Sequence, residues 1–423
     1  MNLTGDPVPG EMKMHRVAVI LAVFPGTLAA GEKSVLEPGK EEDPDPSPPS
    51  WCEWLDDNPG RLFRDKKNPW IQSIEFSGRF QFQAAYLDGN DVNGRDFHDT
   101  YDEYRRVRLG TEIEFLRYFS TEAEISLVED NRFEDGDLRW GYDRFTEASL
   151  EFDVGRAFGS GWFDGIDLRY GRSKLRMSFF NDTATTEIYT VERSSLAERV
   201  SGGIGRPTGI TLELDKEDWE LNLGMFSGEE EEEFLAGWNA GRFYYASLEW
   251  DPKGDWEFLW DNAWNDQKGE EDFLGYSWAT VLSVNYDDDR WGVLTQLFYG
   301  DNGGAPSASD PSREGVFRGG VIMPWYWIVE DKLQAVLQYE YASASRSQGF
   351  QLRDRYLRGG HQDPFVDVDN GRGDELHSIY LGLNYHLCGD HLKLMGGISY
   401  EDLKTEGDDV EGVTYMFALR SYF

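Results

Sequence analysis

From Ile74 to the end of the chain, apolar and polar residues change places at every second position, so an extended backbone carries one set on each face of a strand. Ile74, Phe76, Gly78, Phe80, Phe82, Ala84 and Tyr86 alternate with Glu75, Ser77, Arg79, Gln81 and Gln83. Trp219, Leu221, Leu223 and Met225 stand opposite Glu220, Asn222 and Gly224, and Leu333, Ala335, Leu337, Tyr339 and Tyr341 stand opposite Gln334, Gln338 and Glu340. About sixteen such segments begin near positions 74, 103, 120, 144, 166, 207, 218, 240, 254, 273, 290, 315, 331, 375, 391 and 413. Their typical length matches the ~9–11 residues with which a tilted strand crosses hydrocarbon. The expected class is all-β: an antiparallel up-and-down β-barrel of about 16 strands spanning a membrane.

The connections support the same reading. Short ones at 116–119, 215–218, 251–255, 287–289 and 387–390 alternate with long ones at 89–102, 130–143, 174–206, 227–239, 301–314 and 343–374. Membrane barrels have short periplasmic turns and long extracellular loops. A soluble sandwich or propeller also alternates. It gives no reason for an export signal, for a continuously apolar face on nearly every strand, or for aromatic clusters such as Trp256, Trp260, Trp264, Trp325, Tyr326 and Trp327. A sheet edge has no partner in lipid, so a sheet that crosses must close on itself.

The export signal lies in residues 1–30, where Met14-His15-Arg16 precedes the apolar run 17–24 and a small-residue cleavage site ending at Ala30. Residues 31–70 begin with an acidic, proline-rich stretch (EPGKEEDPDPSPP) and are expected to form a periplasmic linker, leaving 71–423 as the barrel. The chain carries 79 acidic against 41 basic residues, a net charge of −38, which excludes the basic surface of a nucleic-acid binder. Aromatic residues make up 15%, too many large apolar groups for a disordered chain. No cofactor or metal is expected. His98, His361 and His377 carry no hydrolase signature, and His386, Cys388 and His391 read as a polar turn. Cys52 and Cys388 fall on the same, periplasmic side, where a disulfide and two free thiols are both compatible with the sequence.

The chain resembles the phosphate-selective porins of the O and P type. The likeness rests on Tyr104-Arg105-Arg106-Val107-Arg108-Leu109-Gly110, Thr111-Glu112-Ile113-Glu114-Phe115, Phe119-Ser120-Thr121-Glu122-Ala123-Glu124, Tyr170-Gly171-Arg172-Ser173-Lys174 and Val191-Glu192-Arg193-Ser194-Ser195-Leu196. It covers about residues 74–226; beyond them only the barrel pattern continues. The resemblance implies a sixteen-stranded homotrimer in the Gram-negative outer membrane, in contact with lipid and lipopolysaccharide. It also implies a third long loop folded inward and basic residues that guide phosphate or other anions. The ending Tyr415, Phe417, Leu419 and Phe423, interrupted by Ser421, resembles the C-terminal strand through which bacterial barrels meet their assembly machinery.

With Val107, Leu109 and Ile113 toward lipid, Arg106 and Arg108 face the lumen, and the same count turns Arg79 and Arg169 inward. These four arginines and Lys174 are the pore-lining candidates. They have two readings: bidentate guidance of anions, or internal pairing with Glu75, Glu112, Glu122 and Glu124. The loop at 174–206 is the expected constriction, with Glu192, Arg193, Glu198 and Arg199 on a short helical turn. Within it, NDTATTEIYT at 181–190 coincides with the translation of a widely used sequencing adapter, and no functional role is assigned to those ten side chains. The acidic run 229–233 reads as solvated loop surface; the functional alternatives are a potential that favours cations at the mouth and divalent ions bridging lipopolysaccharide. The expected function is passive diffusion of small hydrophilic solutes with no enzymatic step; the alternative is a non-conducting barrel with a structural or adhesive role.

Overall fold

The computed structural model describes residues 51–52, 55, 60–128, 141–201, 206–228, 233–238, 241–252, 254–267, 273–303, 310–359 and 361–423. The expected signal peptide, most of the expected linker and most of the acidic run 229–233 lie outside them.

Sixteen antiparallel strands form one closed barrel. In chain order they are β1 (Ile71–Asn90), β2 (Asp96–Phe115), β3 (Phe119–Ser126), β4 (Arg144–Asp153), β5 (Gly165–Arg172), β6 (Thr208–Lys216), β7 (Trp219–Ser227) and β8 (Gly241–Trp250). The second half comprises β9 (Trp256–Gln267), β10 (Trp278–Asp288), β11 (Trp291–Asp301), β12 (Val316–Val329), β13 (Leu333–Ala344), β14 (Glu375–Cys388), β15 (Leu392–Lys404) and β16 (Val410–Tyr422). Every strand pairs with its sequence neighbour, and β16 closes on β1 from Glu411 opposite Asn90 to Tyr422 opposite Arg79. Closure satisfies the edge groups that lipid would leave without partners.

The side-chain period of two sorts the faces. Leu223, Leu282, Leu297, Ile322, Leu337, Leu381 and Phe417 are exposed on the outer wall, whereas Gln81, Gln83, Gln296, Asn384, Thr414 and Arg420 are wholly buried inside. Trp256, Trp260 and Trp264 all face outward; Trp325, expected with them, points into the barrel and is only 4% exposed. It occupies the inward position of β12 next to the outward Tyr326, as strict alternation requires.

The wall is uneven. β1 and β2 each have 20 residues, while β3 and β5 have 8. The long loop expected at 89–102 is therefore mostly strand, and its turn is only 91–95. Above the apolar zone both faces of this ribbon are polar or paired to loops, so apolar counting stops before the strand does. On the periplasmic side the 154–164 connection, longer than the tight turns of that side, contains the short helix Val154–Phe158. A further short strand, Arg61–Arg64, pairs with the lower part of β1. Cys52 and Cys388 form a disulfide, so Cys388 is not a metal ligand.

The candidate pore constriction

The loop between β5 and β6 enters the barrel, as expected for 174–206, and is fastened around the lumen by polar bonds. Asp261 of β9 accepts from the Ser178 amide at 2.9 Å. Glu340 of β13 accepts from the amides of Ser195 and Leu196 at 3.0 and 2.7 Å. Asn384 of β14 donates to the Tyr189 carbonyl at 2.8 Å, and Lys393 of β15 to that of Ile188 at 3.3 Å. Arg420 of β16 donates to the carbonyls of Thr185 and Val191 at 3.0 and 2.5 Å. Each of these bonds meets a backbone group of the loop, so the loop's path does not depend on its side chains at those points.

The helical turn expected at 191–200 is Ser195–Val200, capped by the Ser194 hydroxyl, which accepts from the Ala197 amide at 3.1 Å. Its predicted residues divide. Glu192 reaches the β1–β2 wall, where it accepts from Arg105 at 3.0 Å and from Gln83 at 2.7 Å. Burial alone would raise its pKa; Arg105 and Arg106 overcome this and hold the carboxyl well below the usual range. Arg193 turns back into its own loop, donating to the carbonyls of Phe180 and Thr183 at 2.6 and 3.0 Å. Arg199 leaves the constriction for the opposite wall, bonding Asn302 at 2.7 Å and lying 5.3 Å over the Phe317 ring. Glu198 stays on the lumenal side.

Arg105 was hidden from alternation because it is the extra residue of a β-bulge: Gln81 pairs with Arg106 and Phe82 with Tyr104, leaving Arg105 unopposed. The bulge turns two successive arginines inward, where strict alternation allows one. Arg206, at the end of the loop, was also missed and pairs with Glu147 at 2.7 Å. The expected candidates on the wall are placed as counted. Arg108 and Arg79 share Glu124 at 3.0 and 3.8 Å, Arg169 binds Glu151 at 2.6 Å, and Arg106 donates to Gln81 at 2.8 Å. Of the four acids expected as partners, Glu124 serves. The others used are Glu147, Glu151 and Glu192, on neighbours that sequence spacing does not reveal.

Between the loop and the β1–β5 wall lie two adjoining cavities. The smaller, about 30 Å³, is lined by Arg106, Arg108, Lys174, Arg193 and Arg206 against the single carboxylate Glu198. The larger, about 190 Å³, shares Arg108, Lys174 and Arg206 with it and adds Arg79, Arg169 and Arg176. Its acids include Glu122, Glu124 and Glu147. On the periplasmic side of the loop a cavity of about 610 Å³ is lined by Glu257, Asp287 and Asp390. The lining thus changes sign between the cavities: mostly basic between the loop and the β1–β5 wall, mostly acidic on the periplasmic side of the loop. Lys174 donates to the Asp182 and Thr183 carbonyls at 3.3 and 3.0 Å. Burial, helped by Arg193 and Arg206, pushes its pKa well below that of an exposed lysine. Away from this site, Asp167, Glu213 and Asp215 bring carboxylate oxygens within 4.8 Å of one another, the grouping closest to a metal site among the described residues.

Residues 74–269 match the family described as phosphate-selective porin O and P. The matched stretch belongs to that porin family. It contains the whole β1–β5 wall and the inward loop. The chain is an outer-membrane channel for passive solute diffusion. No curated protein matches it. Among solved structures, the channel DcaP of Acinetobacter baumannii superposes with a TM-score of 0.54 at 11% identity, covering 86% of this chain and 100% of that one. The anion-selective porin of Comamonas acidovorans gives 0.53 at 13%, covering 83% and 99%, and OmpT of Vibrio cholerae 0.52 at 11%, covering 86% and 99%. These likenesses establish the shared barrel fold.

Proposed function

We propose that the porin prefers small anions, phosphate-sized oxyanions included, and that they cross between the inward loop and the β1–β5 wall. The observation that carries this is the smaller cavity, where five basic side chains face one carboxylate in a chain of net charge −38. The acids beside the neighbouring arginines fix those side chains in place and leave a local positive excess in the smaller cavity. Field lines concentrate in a narrow low-dielectric passage, so this cluster outweighs the acidic exit in setting ion sign. No covalent step is needed, and the solute moves down its gradient. The reading includes a homotrimer in contact with lipopolysaccharide, delivered by a signal peptide over 1–30 and assembled through the strand ending in Phe423.

The test is the zero-current potential of refolded protein in a planar bilayer across a potassium chloride gradient. Anion preference and block by added phosphate are expected. Cation preference would mean that the acidic exit dominates. Absence of conductance would favour the non-conducting barrel, a reading supported by the 345–374 loop, whose Phe350, Leu352, Tyr356 and Leu357 are wholly buried in the extracellular mouth.

Raising the pH should weaken the anion preference before exposed lysines titrate, because deprotonation of Lys174 removes a positive charge from both cavities. The same titration in Lys174→Gln should lose that step. An unchanged pH profile in the variant would rule out Lys174 as its source.

A further inference from the structure

We propose that the segment ending in Arg61–Arg64, with the Cys52–Cys388 disulfide, is a staple that locks the seam where the barrel closes. The disulfide is then made after closure. The seam is the β16–β1 pairing, and it is incomplete by itself. β16 ends opposite Arg79, and Phe423 exchanges two backbone bonds with Gly78, each 3.0 Å. Below that point β1 continues to Ile71 and still pairs with β2 on its other edge, so its seam-side edge would be left open.

The N-terminal strand fills that edge. The Phe76 amide donates to the Gly60 carbonyl at 2.8 Å, Arg61 stands opposite Glu75, and Arg64 opposite Ser73. It continues the line of β16 past its last residue. The disulfide then joins the same segment to the end of β14, with a Cα–Cα distance of 5.0 Å. The same stretch of chain is therefore tied to β1 by hydrogen bonds and to the end of β14 by a covalent bond.

The geometry orders the events. In a closed ring β14 stands three strand spacings from β1, about 14 Å; in an open sheet of the same order it stands thirteen away, about 60 Å. The nine residues from Cys52 to Arg61 span at most about 30 Å. With the strand seated on β1, the thiols meet only when the ring is shut. Oxidation is a thiol–disulfide exchange: the two thiols lose two protons and two electrons, their Sγ–Sγ bond forms, and the disulfide of an oxidised periplasmic dithiol protein breaks to two thiols.

The test uses the full chain, refolded from urea into detergent with a glutathione redox pair. Thiols are trapped by alkylation at intervals, and closure is followed by the compact band on an unheated gel. The disulfide is expected only in the compact band; its appearance first in the extended band would overturn the order. In urea, the folded Cys52→Ser, Cys388→Ser double variant and reduced wild type should unfold at matching rates, at least tenfold faster than the oxidised protein. Equal rates for oxidised and reduced protein would overturn the staple. Single-channel conductance of the double variant should equal wild type, so this result stands apart from the ion-selectivity test.

Discussion

Replacing Arg108, Lys174 and Arg206 together by glutamine should turn the zero-current potential from the anion-selective to the cation-selective sign. The three side chains are the cations common to the two cavities beside the inward loop. One unit charge 4 Å from a permeating ion contributes about 1 kcal/mol even at the dielectric constant of water, and more in a narrow passage. Loss of three should lower the anion-to-cation permeability ratio at least about tenfold after screening by salt. The partners amplify the change: Glu147 loses Arg206 at 2.7 Å, and Glu124 keeps only the more distant Arg79 at 3.8 Å. Arg199→Gln is the control, because Arg199 is spent on Asn302 and Phe317 at the far wall. A triple variant that keeps its anion preference would remove this wall from the permeation path.

The second large effect is expected from releasing the loop. Arg105→Leu leaves Glu192 as a buried carboxylate without its ion-pair partner, and Glu340→Ala removes the acceptor for the Ser195 and Leu196 amides. Breaking a buried pair from one side costs about 3–5 kcal/mol, and an orphaned amide about 1–3 kcal/mol. The loop can escape this cost by leaving the lumen, while the barrel ladder cannot relax in the same way. Single-channel recordings of the double variant should show conductance raised severalfold with flickering between levels. The heat-modifiable gel shift should stay close to wild type. Unchanged conductance would mean that the loop does not set the pore.

The same comparison separates the structural from the selective arginines. Arg105 and Arg420 hold the loop in place; Arg106, Arg108 and Arg206 line the space it leaves. Both kinds are lumenal and each includes buried and partly buried members, so burial alone does not separate them; their partners do. Arg420 spends its donors on loop carbonyls, and Arg105 meets a loop carboxylate at 3.0 Å. Arg106 donates to the neutral Gln81 at 2.8 Å, and its charge acts both on Glu192 and on the small cavity it lines.

The inward third loop was implied only by resemblance to the porin family; the strand number and the inside and outside of each strand were legible in the residue pattern itself. These follow from a local rule, because successive side chains of an extended backbone must face opposite ways and lipid rewards only one face. Arg79, Arg106, Arg108 and Arg169 stand on the inner face for that reason, and their part in guiding anions is a proposal. Features that depend on register and on residues far apart in the chain emerge only in the folded barrel. The bulge at Arg105 shifts the alternation by one residue, and nothing in the local pattern marks it. Which glutamate serves which arginine depends on strand stagger, so Glu147 and Glu151 replaced expected partners. The disulfide between residues 336 positions apart exists because the barrel closes, which no local spacing expresses. Apolar periodicity also ends where the membrane ends, so the tall β1–β2 ribbon above it became visible only through its backbone pairing.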